Sequence, residues 1–130
     1  KNPLVIFDVA HNVGSLQCFI NYYKTLKVPG KSTLVFSLSS RKRIQDIVPE
    51  LENIFQHIIC TETDGRNPMP ADLLGAHFSP EQSIEIIKNS STAIHRGLAS
   101  LSKDGGMAIL GTHCLGPAVN KVFKISFDNL

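Results

Sequence analysis

The sequence has few cysteines and little net charge, and these two shortages argue against several classes of protein. The three cysteines, Cys18, Cys60 and Cys114, are widely separated and form no C-x-x-C pair, so neither a disulfide framework nor a thiolate metal site is indicated. A net charge of +2, with 18% charged residues and no block of like charges, provides no patch for nucleic acid or an acidic membrane surface. We therefore expect no nucleic-acid or membrane partner, and a reducing cytoplasmic location.

Long hydrophobic runs and complete ligand-binding motifs are also missing. The longest apolar runs, Leu4–Phe7 and Met107–Leu110, are far shorter than the roughly 20 residues that span a bilayer. Neither G-x-x-x-x-G-K-[ST] nor H-E-x-x-H occurs, and His57, His77 and His95 are scattered. The chain therefore lacks the usual loop for nucleoside triphosphates, and we expect no metal site in it.

The length and the start of the chain bear on its domain organisation. Its 130 residues, of which 42% are hydrophobic, suffice for one domain with a single core. The chain opens with Lys1-Asn2-Pro3 rather than Met and enters a buried-strand pattern at once. We expect residues 1–130 to be a single domain from a larger protein.

Short apolar runs alternate with longer amphipathic stretches along the chain. This alternation predicts an α/β fold in which a mainly parallel sheet is flanked by helices. Five runs predict strands: Leu4–Phe7, Ser32–Leu38, His57–Thr61, Ser83–Ile87 and Met107–Leu110. The first is apolar throughout, which predicts a central strand covered on both faces. Ser83–Ile87 is also compatible with a helix.

Apolar residues spaced three and four apart predict helices between these strands. The first helix carries Leu16, Phe19, Ile20, Tyr23 and Leu26, and Pro29-Gly30 follows it as a stop. The second carries Ile44, Ile47, Val48, Leu51, Ile54 and Phe55, and a short helix is predicted at Ala71–Ala76. The fourth carries Ala93, Ile94, Leu98 and Leu101, with Ser90 or Ser91 as its cap, and Pro117–Phe123 predicts a last helix.

Polar residues gather where the first predicted strand ends, the edge at which open α/β sheets bind ligands. Asp8, His11 and Asn12 place a carboxylate, an imidazole and an amide at the start of a helix, where free backbone N–H groups favour anions. In the alternative interpretation Asp8 only accepts hydrogen bonds from loop amides, Asn12 caps the helix and His11 points to water. The residues alone leave both interpretations open.

Two further turns follow predicted strands. Gly111-Thr112 comes directly after the Met107–Leu110 run, where its hydroxyl and the following amides could hold a carboxylate. Ser39–Arg43 is a basic turn that could meet a phosphate or a carboxylate. The alternatives are an ordinary βα turn with a threonine cap and a solvated loop.

Four segments of the chain resemble motifs of one enzyme family, and they occur in the same order. Residues Val5-Ile6-Phe7-Asp8-Val9-Ala10-His11-Asn12 resemble the D-G-A-H-N-P segment that opens the C-terminal domain of folylpolyglutamate synthase and dihydrofolate synthase. Thr33–Leu38 and the turn with Lys42 resemble its second strand and A-D-K-D-like loop. Arg66 with Pro70-Ala71-Asp72-Leu73 is similar to R-x-x-P-A-x-x-L, and Gly106–Gly116 resembles V-x-G-S-L-Y-L-x-G.

The match departs from the family motifs at seven positions, two of which are His113 and Cys114 in place of the usual Leu-Tyr pair. Val9 stands for the usual glycine, Val13 for the usual proline and Thr112 for the usual serine. Arg41 and Arg43 stand where the loop commonly carries aspartates. The change at Thr112 keeps a hydroxyl, whereas the changes at Arg41 and Arg43 remove the acids of the loop.

The resemblance implies an ATP-dependent amide ligase of the Mur ligase superfamily, with this chain as its Rossmann-like C-terminal domain. Such enzymes phosphorylate a carboxylate of dihydropteroate or a reduced folate with ATP, and the amine of L-glutamate then attacks the acyl phosphate. The resemblance implies that ATP and Mg²⁺ bind mainly to an N-terminal P-loop ATPase domain, which this chain lacks. The intact enzyme would be a monomer, and the isolated domain would be inactive.

The same resemblance assigns roles to five residues of this chain. Asp8 would contact the ribose of ATP, and Asn12 and Lys42 would be further ATP-binding residues. His11 would be the catalytic residue, near the phosphates and the incoming glutamate. Thr112 would donate to a carboxylate of that glutamate, and no residue of the chain would bind the metal.

Two other functions remain open at this point. The chain could be the C-terminal domain of a Mur ligase that adds an amino acid to a cell-wall precursor. It could also be a Rossmann-like binding module without catalysis. A P-loop sequence upstream of Lys1 would separate the ligases from the binding module.

Overall fold

The structure, a computed structural model, describes residues 4–8, 13–38, 45–62 and 69–110. Its strands are β1 (Leu4–Phe7), β2 (Ser32–Phe36), β3 (His57–Glu62), β4 (Ser83–Asn89) and β5 (Gly106–Leu110). Its helices are α1 (Val13–Thr25), α2 (Val48–Ile54), α3 (Ala71–Gly75) and α4 (Ser90–Ala99). None of these helices combines the length and the apolar composition needed to cross a bilayer.

All described strands pair in parallel, in the order β1-β5-β2-β3-β4. The last strand of the series, β5, lies between the first two, so that Ala108 pairs with Ile6 on one side and Leu34 on the other. Each crossover between parallel neighbours needs a connecting segment, which the four helices supply. The predicted α/β fold, a parallel sheet flanked by helices, is therefore confirmed.

The helices cover both faces of the sheet. Along β2, Leu34 and Phe36 face the side covered by α1, α2 and α3, whereas Val35 faces the side covered by α4. The run is apolar at successive positions because each face of the strand meets a helix layer. The core is therefore split by the sheet into two clusters of buried side chains.

The strand prediction for Leu4–Phe7 is right about its conformation and wrong about its position. Among the described strands β1 lies at an edge of the sheet and pairs with β5 alone, and Leu4 is 36% exposed. A continuous apolar run indicates that both faces of a strand are covered. It does not indicate that both edges are paired, because strand order is set by the crossovers.

Two helix starts differ from the expectation. The second helix begins at Val48 with Pro49 in its first turn, and Ile47 precedes it as the N-cap residue; Ile44 lies outside the described residues. The cap of α4 is Asn89, so the prediction of Ser90 or Ser91 is wrong. Strand β4 runs on beyond Ile87 to Asn89, which moves the helix start and leaves both serines inside the first turn. The helix expected at Pro117–Phe123 also lies outside the described residues.

Candidate functional site

The carboxyl ends of β1, β5 and β2 lie side by side at one edge of the sheet. The backbone N–H of Asp8 donates to the carbonyl oxygen of Ile109 at 3.0 Å, and the N–H of Ser37 donates to that of Leu110 at 3.2 Å. These hydrogen bonds continue the ladders beyond the ends of β1 and β2. Asp8 and Ser37, the first residues after those two strands, therefore flank the end of β5, the edge at which open α/β sheets bind ligands.

Asp8 is the one predicted site residue that the described ranges contain. It follows the last residue of β1 and is half-buried. Strand alternation puts its side chain on the same face as Ile6, the face that α1 covers. A carboxylate in this position can accept hydrogen bonds from the hydroxyl groups of a ligand bound at the edge.

The other predicted site residues lie outside the described residues: His11, Asn12, Lys42 and Thr112. The departures Val9, Arg41 and Arg43 lie outside them as well, and the side chain of Val13 is not described. The backbone nevertheless relates two of the predicted segments. Asp8 directly follows β1 and Leu110 ends the neighbouring strand β5, and the sequence continues from them into the segments that carry His11 and Thr112.

Ser37 is a polar residue at this edge that the sequence reasoning missed. Its side chain is fully buried, and its Oγ has no hydrogen-bond partner within the described part of the chain. Because an unpaired buried hydroxyl is costly, such groups in folded proteins call for an explanation. In the sequence, its signal was a hydroxyl directly after the apolar run Leu34–Phe36, where the strand ends.

Hydrogen bonds connect the residues just before and at the start of α3 to the ends of β2 and β3 at the same edge. The carbonyl oxygen of Leu38 accepts a hydrogen bond from the N–H of Met69 at 2.8 Å. The Glu62 carboxylate accepts one from the N–H of Ala71, also at 2.8 Å. The Pro70-Ala71-Asp72-Leu73 stretch, one of the motifs of the resemblance, is thereby anchored to the ends of both strands.

No three His, Cys, Asp or Glu side chains of the described ranges are grouped so as to hold a metal ion. Cys60, in the middle of the sheet, is buried, and burial raises the pKa of its thiol to about 12. It is therefore a neutral packing residue rather than a nucleophile or a metal ligand.

Solved structures share this fold, and two of them show the extent of the likeness to the chain. A bifunctional folylpolyglutamate synthase/dihydrofolate synthase from Yersinia pestis, complexed with AMPPNP and Mn ion, matches 96% of this chain and 30% of its own, with a TM-score of 0.84 and 21% identity. Escherichia coli FolC in complex with DHPP and ADP matches 92% of this chain and 28% of its own, with a TM-score of 0.83 and 21% identity. At this identity the likeness establishes the fold.

Sequence comparison leads to the same group. A dihydrofolate synthase/folylpolyglutamate synthase of Buchnera aphidicola is 26% identical over 129 residues, which are 98% of this chain and 30% of the relative. This chain thus spans about 30% of the length of that relative. The model of the family described as "Mur ligase, glutamate ligase domain" matches residues 1–113. The resemblance that the four motifs indicated is confirmed, and the chain belongs to the Mur ligase family of glutamate ligase domains.

Proposed function

We propose that the protein containing this chain is an ATP-dependent ligase that joins L-glutamate to dihydropteroate, to a reduced folate, or to both. The observation that carries the proposal is the family match over residues 1–113, which covers β1, the segment that follows it, β5 and the first three residues after β5. The AMPPNP in the Yersinia pestis relative and the DHPP and ADP in the Escherichia coli relative support ATP and a pterin as substrates.

The proposed reaction has two steps. A carboxylate oxygen of the pterin substrate attacks the γ-phosphorus of ATP, which releases ADP and leaves an acyl phosphate. The amine of L-glutamate then attacks the acyl carbon, so that an amide forms and inorganic phosphate leaves. Mg²⁺, when bound, would neutralise phosphate charge in the first step.

We further propose that a P-loop ATPase domain, N-terminal to this chain in the whole protein, binds the metal and the phosphates of ATP. Two features of the present domain support this division. Its sequence has no G-x-x-x-x-G-K-[ST] motif, and its described residues contain no group of metal-ligating side chains. The isolated domain is therefore expected to be inactive.

The residues of this chain would act on the parts of the substrates that face its ligand-binding edge. Asp8 accepts hydrogen bonds from the ribose hydroxyls of ATP, and Asn12 and Lys42 contact the same nucleotide. His11 lies between the phosphates and the incoming amine, and Thr112 donates to a glutamate carboxylate. The position of Asp8 beside the end of β5 supports this assignment, because Thr112 follows that strand by two residues.

There is also a physical reason for a second domain to cover the reacting groups. An acyl phosphate hydrolyses wherever water reaches it, so closure of this domain over the ATPase domain would exclude solvent while orienting the amine. Truncation to either domain should abolish ligation even if both parts fold.

The proposal is tested by ADP release from the intact protein with ATP, Mg²⁺ and L-glutamate. Separate reactions contain dihydropteroate, tetrahydrofolate or no acceptor. Release that depends on a pterin and on L-glutamate is expected, and the productive acceptor identifies the activity. If folded protein releases no ADP with either pterin, the folate assignment is wrong.

A further inference from the structure

A cluster of polar side chains lies at the amino edge of the sheet, opposite the edge that carries Asp8. His57 is the first residue of β3 and Ser83 the first of β4, and the two are paired in the sheet register. Strand alternation puts Glu85 on the same face as Ser83. Arg96 reaches the cluster from α4, which covers this face.

These side chains form a continuous hydrogen-bonded series. The Oγ of Ser83 lies 2.7 Å from Nδ1 of His57, and Nε2 of His57 lies 2.7 Å from a carboxylate oxygen of Glu85. The Nε–H of Arg96 donates to the other oxygen of Glu85 at 3.1 Å. The imidazole is thus held from both sides, between a hydroxyl and a carboxylate.

The charge state of Glu85 determines which nitrogen of His57 carries the proton. Burial raises the pKa of the Glu85 carboxyl, but the hydrogen bonds and charges of Arg96 and His57 outweigh it, and the pKa is lowered. An ionised carboxylate only accepts hydrogen bonds, so Nε2 of His57 must donate to it. In the neutral imidazole Nδ1 then has a lone pair directed at Ser83, which is the arrangement of a general base beside a nucleophile.

Ser83 is accessible to a small molecule. The residue is exposed, and together with His57 it lines an open cavity of about 360 Å³. That volume is within the range of small-ligand sites. Lys31 and Arg96 line the same cavity, so two cationic side chains border the space that a ligand would occupy.

We propose that Ser83 is a nucleophile that accepts the acyl group of small activated esters, with His57 as general base and Glu85 as the group that orients it. Serine, imidazole and carboxylate in this order recur on unrelated folds, where geometry rather than sequence position defines them. The cations of Lys31 and Arg96 favour esters whose acyl part carries a carboxylate. The site is separate from the ligand-binding edge, so the proposal does not depend on the ligase function.

The reaction balances without a further reactant except water. The Oγ of Ser83 bonds to the ester carbonyl carbon while its proton passes to Nδ1 of His57. The tetrahedral adduct breaks the bond to the leaving oxygen, which departs as an alcohol or phenol after taking that proton. Water then attacks the acyl-serine, gives a proton to His57, and releases the carboxylic acid with Ser83 restored.

The test uses 4-nitrophenyl acetate and mono-4-nitrophenyl succinate with the full-length protein at mildly alkaline pH. Nitrophenolate release is followed by absorbance, and peptide mass spectrometry locates the acyl group. We expect a burst near one equivalent with the acyl group on Ser83, and a rate about tenfold higher for the succinate. In Lys31→Ala the succinate should lose most of this advantage.

Matched variants separate this activity from nonspecific acylation. Ser83→Ala should eliminate the burst, and His57→Gln should slow it by about a hundredfold or more. Glu85→Gln should slow it at least about tenfold, because the orienting charge is gone. Ser100→Ala is the control, since Ser100 lines the same cavity but donates to the Gly97 carbonyl instead of contacting an imidazole.

The proposal predicts that Ser100→Ala has the same burst size and burst rate as the wild type. It is overturned if Ser83→Ala keeps the burst, or if the acyl group is found only on lysines. Circular dichroism of each variant verifies folding, and the ADP-release assay on Ser83→Ala should remain unchanged, which keeps this result distinct from the ligase proposal.

Discussion

Asp8 and Ile109 are joined by a backbone hydrogen bond, from the N–H of Asp8 to the carbonyl oxygen of Ile109 at 3.0 Å. It fixes the first residue after β1 against the end of β5, although 101 positions, the difference of their numbers, separate the two in sequence. Because the main chain holds Asp8 in place, its carboxylate can be replaced without releasing the backbone. This makes Asp8 a suitable position for testing the ligand-binding edge.

Replacement of the Asp8 carboxylate should weaken nucleotide binding in the intact protein. Hydrogen bonds to a charged group contribute about 1.5–3 kcal/mol, so Asp8→Ala should raise the KM for ATP about 10–100-fold. Asp104→Ala is the control, because Asp104 precedes β5 and therefore lies at the opposite edge. Steady-state kinetics with varied ATP provide the measurement. An unchanged KM in folded Asp8→Ala would remove Asp8 from the nucleotide site.

Removal of two buried hydroxyl groups should have different effects on the free energy of unfolding. Thr61 Oγ donates to the carbonyl oxygen of Lys88 at 3.1 Å, whereas Ser37 Oγ has no partner among the described residues. Thr61→Val should lower the free energy of unfolding by about 1 kcal/mol, because the Lys88 carbonyl loses its donor. Ser37→Ala should leave it within about 0.5 kcal/mol of the wild type, or raise it. Urea unfolding measures both, and a larger loss for Ser37→Ala would contradict the comparison.

Substitution of the N-cap residue of α4, Asn89, should destabilise the fold, whereas substitution of the next residue, Ser90, should not. The Asn89 side chain accepts hydrogen bonds from the backbone N–H and the hydroxyl of Thr92, at 2.9 and 3.0 Å. Asn89→Ala should therefore lower the free energy of unfolding by about 1 kcal/mol, whereas Asn89→Asp should retain most of it. Ser90→Ala is the matched control and should cause little change. A greater loss for Ser90→Ala would restore the serine as the cap.

The contribution of Glu85 to stability should depend on pH. The ordinary pKa of its carboxyl is 4.5. In the folded chain burial raises this pKa, but Arg96 and His57 together lower it by more, so the net shift is downward. A lowered pKa means that the fold favours the ionised carboxylate. The stabilisation is therefore fully present above the ordinary pKa and is lost as the pH falls through the lowered value.

The measurement compares Glu85→Gln with the wild type by urea unfolding across a pH series. The wild type should be more stable near neutral pH, and the difference should shrink as the pH falls below about 4.5. Glu81→Gln, at an exposed position, should show no such trend. A difference that grows with acidity would mean that the sign of the shift is wrong.

The sequence predicted local features of this fold well because they depend on local patterns. The spacing of Leu16, Phe19, Ile20 and Tyr23 placed all four in the core, where each is less than 5% exposed. The edge position of β1 could not be predicted in this way. It depends on the insertion of β5 between β1 and β2. Strand order is a property of the tertiary structure, and the local sequence pattern of a strand does not indicate it.

The candidate sites show the same limit. Asp8 was recognisable because it follows a strand directly, in a motif with a known family pattern. The cluster of His57, Ser83, Glu85 and Arg96 was not, because 26 positions separate His57 from Ser83. Only the pairing of β3 with β4 brings them together. His57 therefore looked like one of several scattered histidines.

The central claim is that the whole protein makes an amide between L-glutamate and a pterin carboxylate through an acyl phosphate. The most direct measurement uses dihydropteroate or a reduced folate whose reacting carboxylate carries heavy oxygen, incubated with the intact protein, ATP, Mg²⁺ and L-glutamate. The account predicts one labelled oxygen in each inorganic phosphate released, together with one glutamyl product. Unlabelled phosphate, or ADP release without a glutamyl product, would contradict it.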